Sequence, residues 1–503
     1  KRNWKNPLIT GTVILTLTGL LSRFIGFFYR IFLSNAFGAE GMGIYQLIAP
    51  VLALSFALTA SGIQTAISKY VASETSTHDY HTSFRTLWAG FLMAMALSVS
   101  CALAIYLCAD AIAVTFLMES RTAPLLRIIA LSIPMATVHS CINGYFYGIR
   151  KTAIPAVSQL AEQIFRVGSV YLIYYHFRQH GMQPTISFAV AGLVIGEGAS
   201  MIVSVVAILS RAHHVFPPDT HYTYKMPHTF TSDMHELYTA PGSKNRPVIT
   251  DAPGLLTTYR RICVNLLQLA VPLSANRLVL NLLQSIEAIY IPNKLMAYGL
   301  NNADALGVYG VLTGMSLPLI LFPSAITNSI SVLLLPIVSE ADASGNRDAV
   351  KRAILTSIRY CLLLGFACTA MFLLLGRPAG RLLFHSELAG SFILILSFIC
   401  PFMYIASTLG SILNGLGKTA QTFLYSVVSL LLRLLFVFVV IPLYGIKGYL
   451  WGMLASQMLQ TLLCTVSALH IAVPAVQRTD ILQRTPDKIA AGCSGVFDFM
   501  VKL

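Results

Sequence analysis

The chain has 503 residues, with 34 Lys and Arg against 20 Asp and Glu, a formal net charge of +14 and a hydrophobic share of 56%. Only 11% of residues are charged, under half the roughly 25% of an average soluble domain, and the mean hydropathy is +0.71. These values exclude a water-facing globule and a soluble enzyme with one anchor; they describe an all-α integral membrane protein. The basic excess does not imply a nucleic-acid partner, because no soluble, basic, aromatic-bearing face is present to bind one. Nine cysteines, among them Cys101, Cys108, Cys361 and Cys368, sit mostly in apolar runs without C-x-x-C spacing. Neither a zinc site nor a disulfide framework is indicated.

Apolar stretches long enough to cross a ~30 Å hydrocarbon core predict twelve spans, at residues 7–33, 43–68, 86–109, 124–148, 153–176, 186–210, 261–291, 307–337, 352–375, 389–414, 419–444 and 447–472. The first is too long for a cleaved signal segment and is expected to be retained. An even count puts both termini on one side. Loop Lys and Arg, such as Arg85, Arg150, Lys151, Lys351, Arg352 and Lys418, place that side in the cytoplasm. Residues 211–258, rich in His, Pro, Thr and Asp, read as a cytoplasmic linker between six-helix bundles at 1–210 and 259–473, with a cytoplasmic tail at 474–503. His214, His221, His228 and His235 recur every seven residues, but Pro217, Pro218 and Pro227 interrupt any helix that would align them on a metal.

An internal repeat organises the chain. Pro134, Gly148, Lys151, Thr152, Ala153 and Arg166 return 267 residues later as Pro401, Gly415, Lys418, Thr419, Ala420 and Arg433. Gly43 and Tyr45 return 264 residues on as Gly307 and Tyr309, and Gly192 and Gly196 correspond to Gly448 and Gly452. Six helices duplicated in one orientation predict two bundles around a central cavity.

A charged side chain in hydrocarbon costs about 2.5 to 3.5 kcal/mol, so each one inside a span needs a reason. Arg23 and Arg30 are seven residues apart on the first span, which returns them to one helix face. Glu162 and Arg166 stand at i and i+4 on the fifth, acid first, the favourable order for a pair. Arg277, Asn281, Gln284 and Glu287 form a polar stripe on the seventh. Arg433 has Ser429 four residues before it rather than an acid, so it needs a partner from another helix. Structural bridging or snorkelling remains open for Arg30, Arg277 and the Glu162–Arg166 pair. Arg23 and Arg433, well inside their spans, are expected to line the cavity. Glu197 and His139 are single polar residues for which a functional role and satisfaction by neighbouring backbone stay equally open, and Lys69 reads as part of the positive-inside bias. Prolines at 50, 134, 155, 272, 318, 323 and 401 remove helical hydrogen bonds and suit helices that bend.

Ser22, Arg23, Gly26, Tyr29 and Arg30, then Gly38, Glu40, Gly41, Tyr45, Gln46 and Pro50, then Gly62, Ala66, Ser68 and Lys69, resemble the stage V sporulation protein B branch of polysaccharide and lipid-linked-sugar flippases. That branch lies in the superfamily shared by lipid II flippases and multidrug and toxic compound extrusion transporters. The resemblance implies a monomer in the bacterial plasma membrane that is no enzyme. Its implied cargo is an anionic undecaprenyl-diphosphate-linked sugar, such as a peptidoglycan precursor, exported from inner to outer leaflet among membrane lipids. Arginines on the first helix of lipid II flippases face the cavity, and Arg23 and Arg30 match that pattern at a spacing one residue longer than in the Gram-negative type. That type also has an arginine on its eighth helix, where residues 307–338 here have none.

Arginine presents a planar fork matched to phosphate oxygens, and on this reading Arg23, Arg30 and Arg433 hold the diphosphate, with Arg166, Glu162, Arg277, Asn281 and Glu287 as further substrate-binding residues. No cofactor is implied: there is no G-x-x-x-x-G-K-[ST] motif for a nucleotide, and a coupling ion, Na⁺ or H⁺, stays unassigned. The alternative is a multidrug cation antiporter using Glu287, although intramembrane arginines outnumber acids. A membrane glycosyltransferase or ligase would normally need a larger outer loop with paired carboxylates or a base.

Overall fold

The computed structural model describes residues 7–76, 80–182, 184–215 and 255–472. Of the expected linker at 211–258, residues 211–215 and 255–258 extend the flanking helices; residues 216–254, with His221, His228 and His235, and residues 473–503 lie outside the described residues. Every regular element among the described residues is helical. Among the described residues, nine helical runs are long and apolar enough to cross a bilayer, and Ser120–Ala130 with Ser132–Gly148, bent by 43°, makes a tenth. One of the nine, Ile14–Ser76, contains both of the first two spans; Ala153–Gln179, the polar helix bearing Glu162 and Arg166, brings the number to twelve. Large apolar side chains such as Leu172, Leu374 and Leu382 are exposed on the outside of the bundle, as a chain solvated by lipid requires. The chain is a multi-pass membrane protein.

Breaks in the helices follow local chemistry. Gly38 splits Pro7–Leu47 at φ 69° and ψ −178°, a backbone setting that a side chain would oppose, so one apolar run becomes spans one and two. Span two continues through Ala49–Phe56, a π-turn at Ala57–Ser61 and Gly62–Ser76. Span eight repeats the plan with Asn302–Gly310, a π-turn at Val311–Ser316, Leu317–Leu321 and Ser324–Ala343. Spans five and six are Ala153–Gln179 and Ser187–Val215, and span seven is Leu255–Tyr298. Spans nine and ten are Arg347–Phe384 and Glu387–Gly415. Span eleven runs from Thr419 through a π-turn at Phe436–Val440, and span twelve is Ile446–Ala472.

Two seams tie the repeats together. At the Gly38 end, span two meets span eight so closely that a Cβ on Gly43 would collide with the Leu306 carbonyl and one on Gly310 with the Ala39 carbonyl. The apolar core continues across this seam from Leu33, Met42 and Leu47 to Leu306, Tyr309 and Leu312. Further along, span two meets span seven, where a Cβ on Gly62 would collide with the Ser274 hydroxyl. Ile63, Ile67 and Tyr145 share a second core with Leu266 and Ala270 there.

Polar groups latch the first seam. Arg121 bonds Glu40 at 2.6 Å and Glu119 at 2.7 Å, Asn302 donates to Glu119 Oε2 at 2.9 Å, and Asn35 bonds the Leu383 carbonyl at 3.1 Å and His385 Nδ1 at 3.0 Å. Burial alone would raise the Glu119 carboxyl, but the bonds from Arg121 and Asn302 outweigh it and hold the group below its ordinary value. A depressed carboxylate contributes stability above about pH 4.3 that is lost as pH falls through the lowered value. The latch is therefore expected to stay shut at neutral pH and loosen only in acid, read as a growing distance between spin labels at the starts of spans four and eight at this end. Labels that separate near neutrality would contradict it.

Candidate functional site

A cavity of about 780 Å³ lies between the repeats, lined by spans one, two, five and eight. Span one supplies Ser22, Arg23, Tyr29 and Arg30, span two Tyr45 and Gln46, and span five Gln159, Gln163 and Arg166. Three guanidiniums and no carboxylate appear among the described lining residues. A cavity so lined attracts anions, and its low-dielectric walls strengthen that attraction.

The arginines are tethered by neutral groups. Arg23 reaches span eight, donating to Ser324 Oγ at 3.5 Å. With the Asn328 amide turned to satisfy both neighbours, its oxygen accepts from Arg23 at 2.9 and 3.1 Å and its nitrogen faces Ser407 Oγ at 3.0 Å. Arg30 donates to the Thr313 carbonyl at 3.4 Å, within the π-turn of span eight, where the usual helical hydrogen bonding is interrupted. Neither bond neutralises its guanidinium. Among the described residues, three lining side chains carry polar atoms buried without a hydrogen-bond partner: Ser22 Oγ, Tyr29 Oη and Gln46 Nε2.

The other expected residues divide between two places. Arg166 pairs with Glu162 on its own helix and reaches the central cavity. Arg433 does not. It pairs with Glu287 from span seven, with a 2.6 Å bond from Nη2 to Oε2, and Tyr449 Oη donates to the same carboxylate at 2.7 Å. Arg433 faces a separate polar cavity of about 210 Å³ with Gln284, Ser429, Ser456 and Gln457. The polar stripe of span seven also splits: Arg277 and Asn281 donate to the Ser61 and Ala53 carbonyls of span two at 3.4 and 3.0 Å. The structure decides what the sequence left open for Glu197 and His139: they pair with each other at 2.7 Å.

The repeat contained a signal that explains this division. At the 264-residue offset of Gly43 and Gly307, Arg23 corresponds to Glu287 and Arg30 to Lys294. The duplicated arginine Arg433 therefore finds an acid where Arg166 would find Arg23. Tyr29, Tyr45, Gln46, Gln159, Gln163 and Asn328 were not expected in the site; uncharged side chains inside apolar spans give no sequence signal of which way they face.

Residues 8–232 match the family described as polysaccharide biosynthesis protein, and residues 281–439 match the MatE family. The chain is 26% identical to stage V sporulation protein B of Bacillus subtilis over 461 residues, covering 91% of this chain and 83% of the relative. Over nearly its whole length the chain is thus similar to stage V sporulation protein B-like members of the multidrug/oligosaccharidyl-lipid/polysaccharide exporter superfamily. The lipid II flippase MurJ of the same organism is 23% identical over 446 residues, 85% of this chain and 76% of that one. An inward-facing multidrug MATE transporter superposes with a TM-score of 0.65 at 15% identity, covering 92% of this chain and 96% of the other. An outward-facing one gives 0.56 at 13% identity, covering 93% and 96%. Members of this superfamily are transporters and flippases, not enzymes.

Proposed function

We propose that this exporter moves an undecaprenyl-diphosphate-linked sugar from the inner to the outer leaflet of a bacterial plasma membrane by alternating access, with both termini cytoplasmic. The observation that carries this reading is a cavity with three arginines and no carboxylate among its described lining residues. Arg23 and Arg30 hold the diphosphate through charge-assisted bonds, and Gln159 and Gln163 offer amides that a sugar headgroup meets. The lipid tail stays in the bilayer. The latched seam at the Gly38 end is the outer gate, and its closed bonds support an inward-facing state here.

A diphosphate carrying two net negative charges across the whole field would be driven outward by about 4.6 kcal/mol at 100 mV, inside negative, so no nucleotide is required. In this reading Arg433, Glu287, Arg277 and Asn281 hold helices together and do not touch cargo. A cationic drug would meet only positive charge in the cavity, and Glu287, the acid an antiporter would use, is already bonded to Arg433 and Tyr449.

The test is transfer of a fluorescent undecaprenyl-diphosphate sugar between leaflets of proteoliposomes, with an inside-negative potential imposed or collapsed. Transfer that speeds up with the potential is expected. Proton-driven efflux of a cationic dye without lipid transfer would overturn the reading.

A further inference from the structure

The cavity backs onto a second polar cluster, which shares Arg166 with it. Arg166 lines the central cavity and also a smaller one of about 380 Å³ shared with Glu197 and with residues of spans two, four and six. Its guanidinium pairs with Glu162 and lies 3.8 Å from Glu197 Oε1. The other Glu197 oxygen is 2.7 Å from His139 Nε2 on span four. These four side chains are only 13 to 20% exposed.

Span one adds Tyr29 and Arg30 to these surroundings and span two adds Tyr45, while span three meets span four through aromatic contacts such as Phe84 on Tyr145. Arg30 is turned away to Thr313 on span eight. The cluster itself holds two carboxylates against one guanidinium. With a neutral imidazole it carries one net negative charge, at a depth where an uncompensated charge is expensive. One bound proton removes that charge.

We propose that Glu162, Glu197 and His139 together hold one exchangeable proton, and that this proton sets how tightly the cavity arginines bind an anion. The proton belongs to the set and not to one residue. Among the described residues His139 Nδ1 is buried without a partner, so the imidazole keeps its hydrogen on Nε2, facing Glu197 Oε2, and the exchangeable proton is shared by the carboxylates. When it is present, the cluster is neutral and Arg166 adds to the attraction of Arg23 and Arg30. When it is lost, a negative charge beside Arg166 opposes the anion. Proton and anion therefore bind together, so anion affinity falls as pH rises through the titration of the set. The existence of the proton site does not depend on the cargo reading; its effect on anion binding does.

Sulfate is the probe, because it stays a dianion across the neutral pH range and so adds no titration of its own. Calorimetric titration of the full-length protein is expected to show affinity falling by up to about tenfold per pH unit over part of this range, with net proton uptake seen as a dependence on buffer ionisation heat. Glu197→Gln leaves one acid for one arginine, so it is expected to bind sulfate with a flat pH profile and no proton uptake. His139→Gln shifts the profile without flattening it. A Glu197→Gln profile as steep as wild type overturns the proposal. If sulfate does not bind at any pH, the anion reading of the cavity fails. The proton site is then decided by infrared titration of the protein alone: a carboxylic-acid or imidazolium band absent in Glu197→Gln supports it, and identical spectra overturn it.

Discussion

Arg23→Ala and Arg30→Ala are each expected to slow leaflet transfer of a diphosphate-linked sugar by about 10- to 100-fold. A hydrogen bond to a charged group contributes about 1.5 to 3 kcal/mol, and neither guanidinium has an acid partner among its described bonds. The double substitution is expected to remove transfer above background. Arg30→Lys keeps the charge but loses the planar fork, so an intermediate rate is expected. Protein abundance and melting temperature are expected to change little, because both arginines bond only neutral atoms of span eight and their removal strands no buried charge. Wild-type rates in both alanine variants would dismiss the cavity as the diphosphate site.

The opposite balance is expected at the second arginine site. Glu287→Gln leaves Arg433 buried without its counter-charge, and breaking a buried pair from one side costs about 3 to 5 kcal/mol. Tyr449 also loses the charged acceptor for its 2.7 Å bond. A large drop in melting temperature is the expected result, measured by thermal unfolding in detergent. The paired change Glu287→Leu with Arg433→Leu is expected to recover much of the loss, since replacing both ions by apolar groups is often neutral or stabilising. An antiporter using Glu287 to bind protons predicts something else: normal melting of Glu287→Gln with loss of proton-driven efflux.

These two expectations differ although Arg166 and Arg433 are duplicates of one another. The reason is the 264-residue correspondence of Arg23 with Glu287. In the second repeat the acid cancels the arginine and fixes three helices together. In the first, Arg23 stands where that acid would be, and Arg166 draws its counter-charges from Glu162 and Glu197 instead. Duplication followed by a charge reversal at one position gives one repeat an electropositive wall and the other a neutral brace.

Spans and their duplication were legible in the sequence because hydrocarbon imposes a length and an apolar composition on any helix that crosses it. The cost of charge in that medium also made Arg23, Arg30, Arg166 and Arg433 stand out before any coordinates were known. Spacing within a helix paired Glu162 with Arg166, since i and i+4 are neighbours on any helix. It could not assign partners between helices. Only the tertiary structure joined Arg433 to Glu287 across 146 positions and His139 to Glu197 across 58, separated Arg433 from the central cavity, and turned Tyr29, Gln46 and Asn328 toward it. Periodicity defines the faces of a helix; packing against its neighbours decides which face looks into the cavity, which into protein and which into lipid.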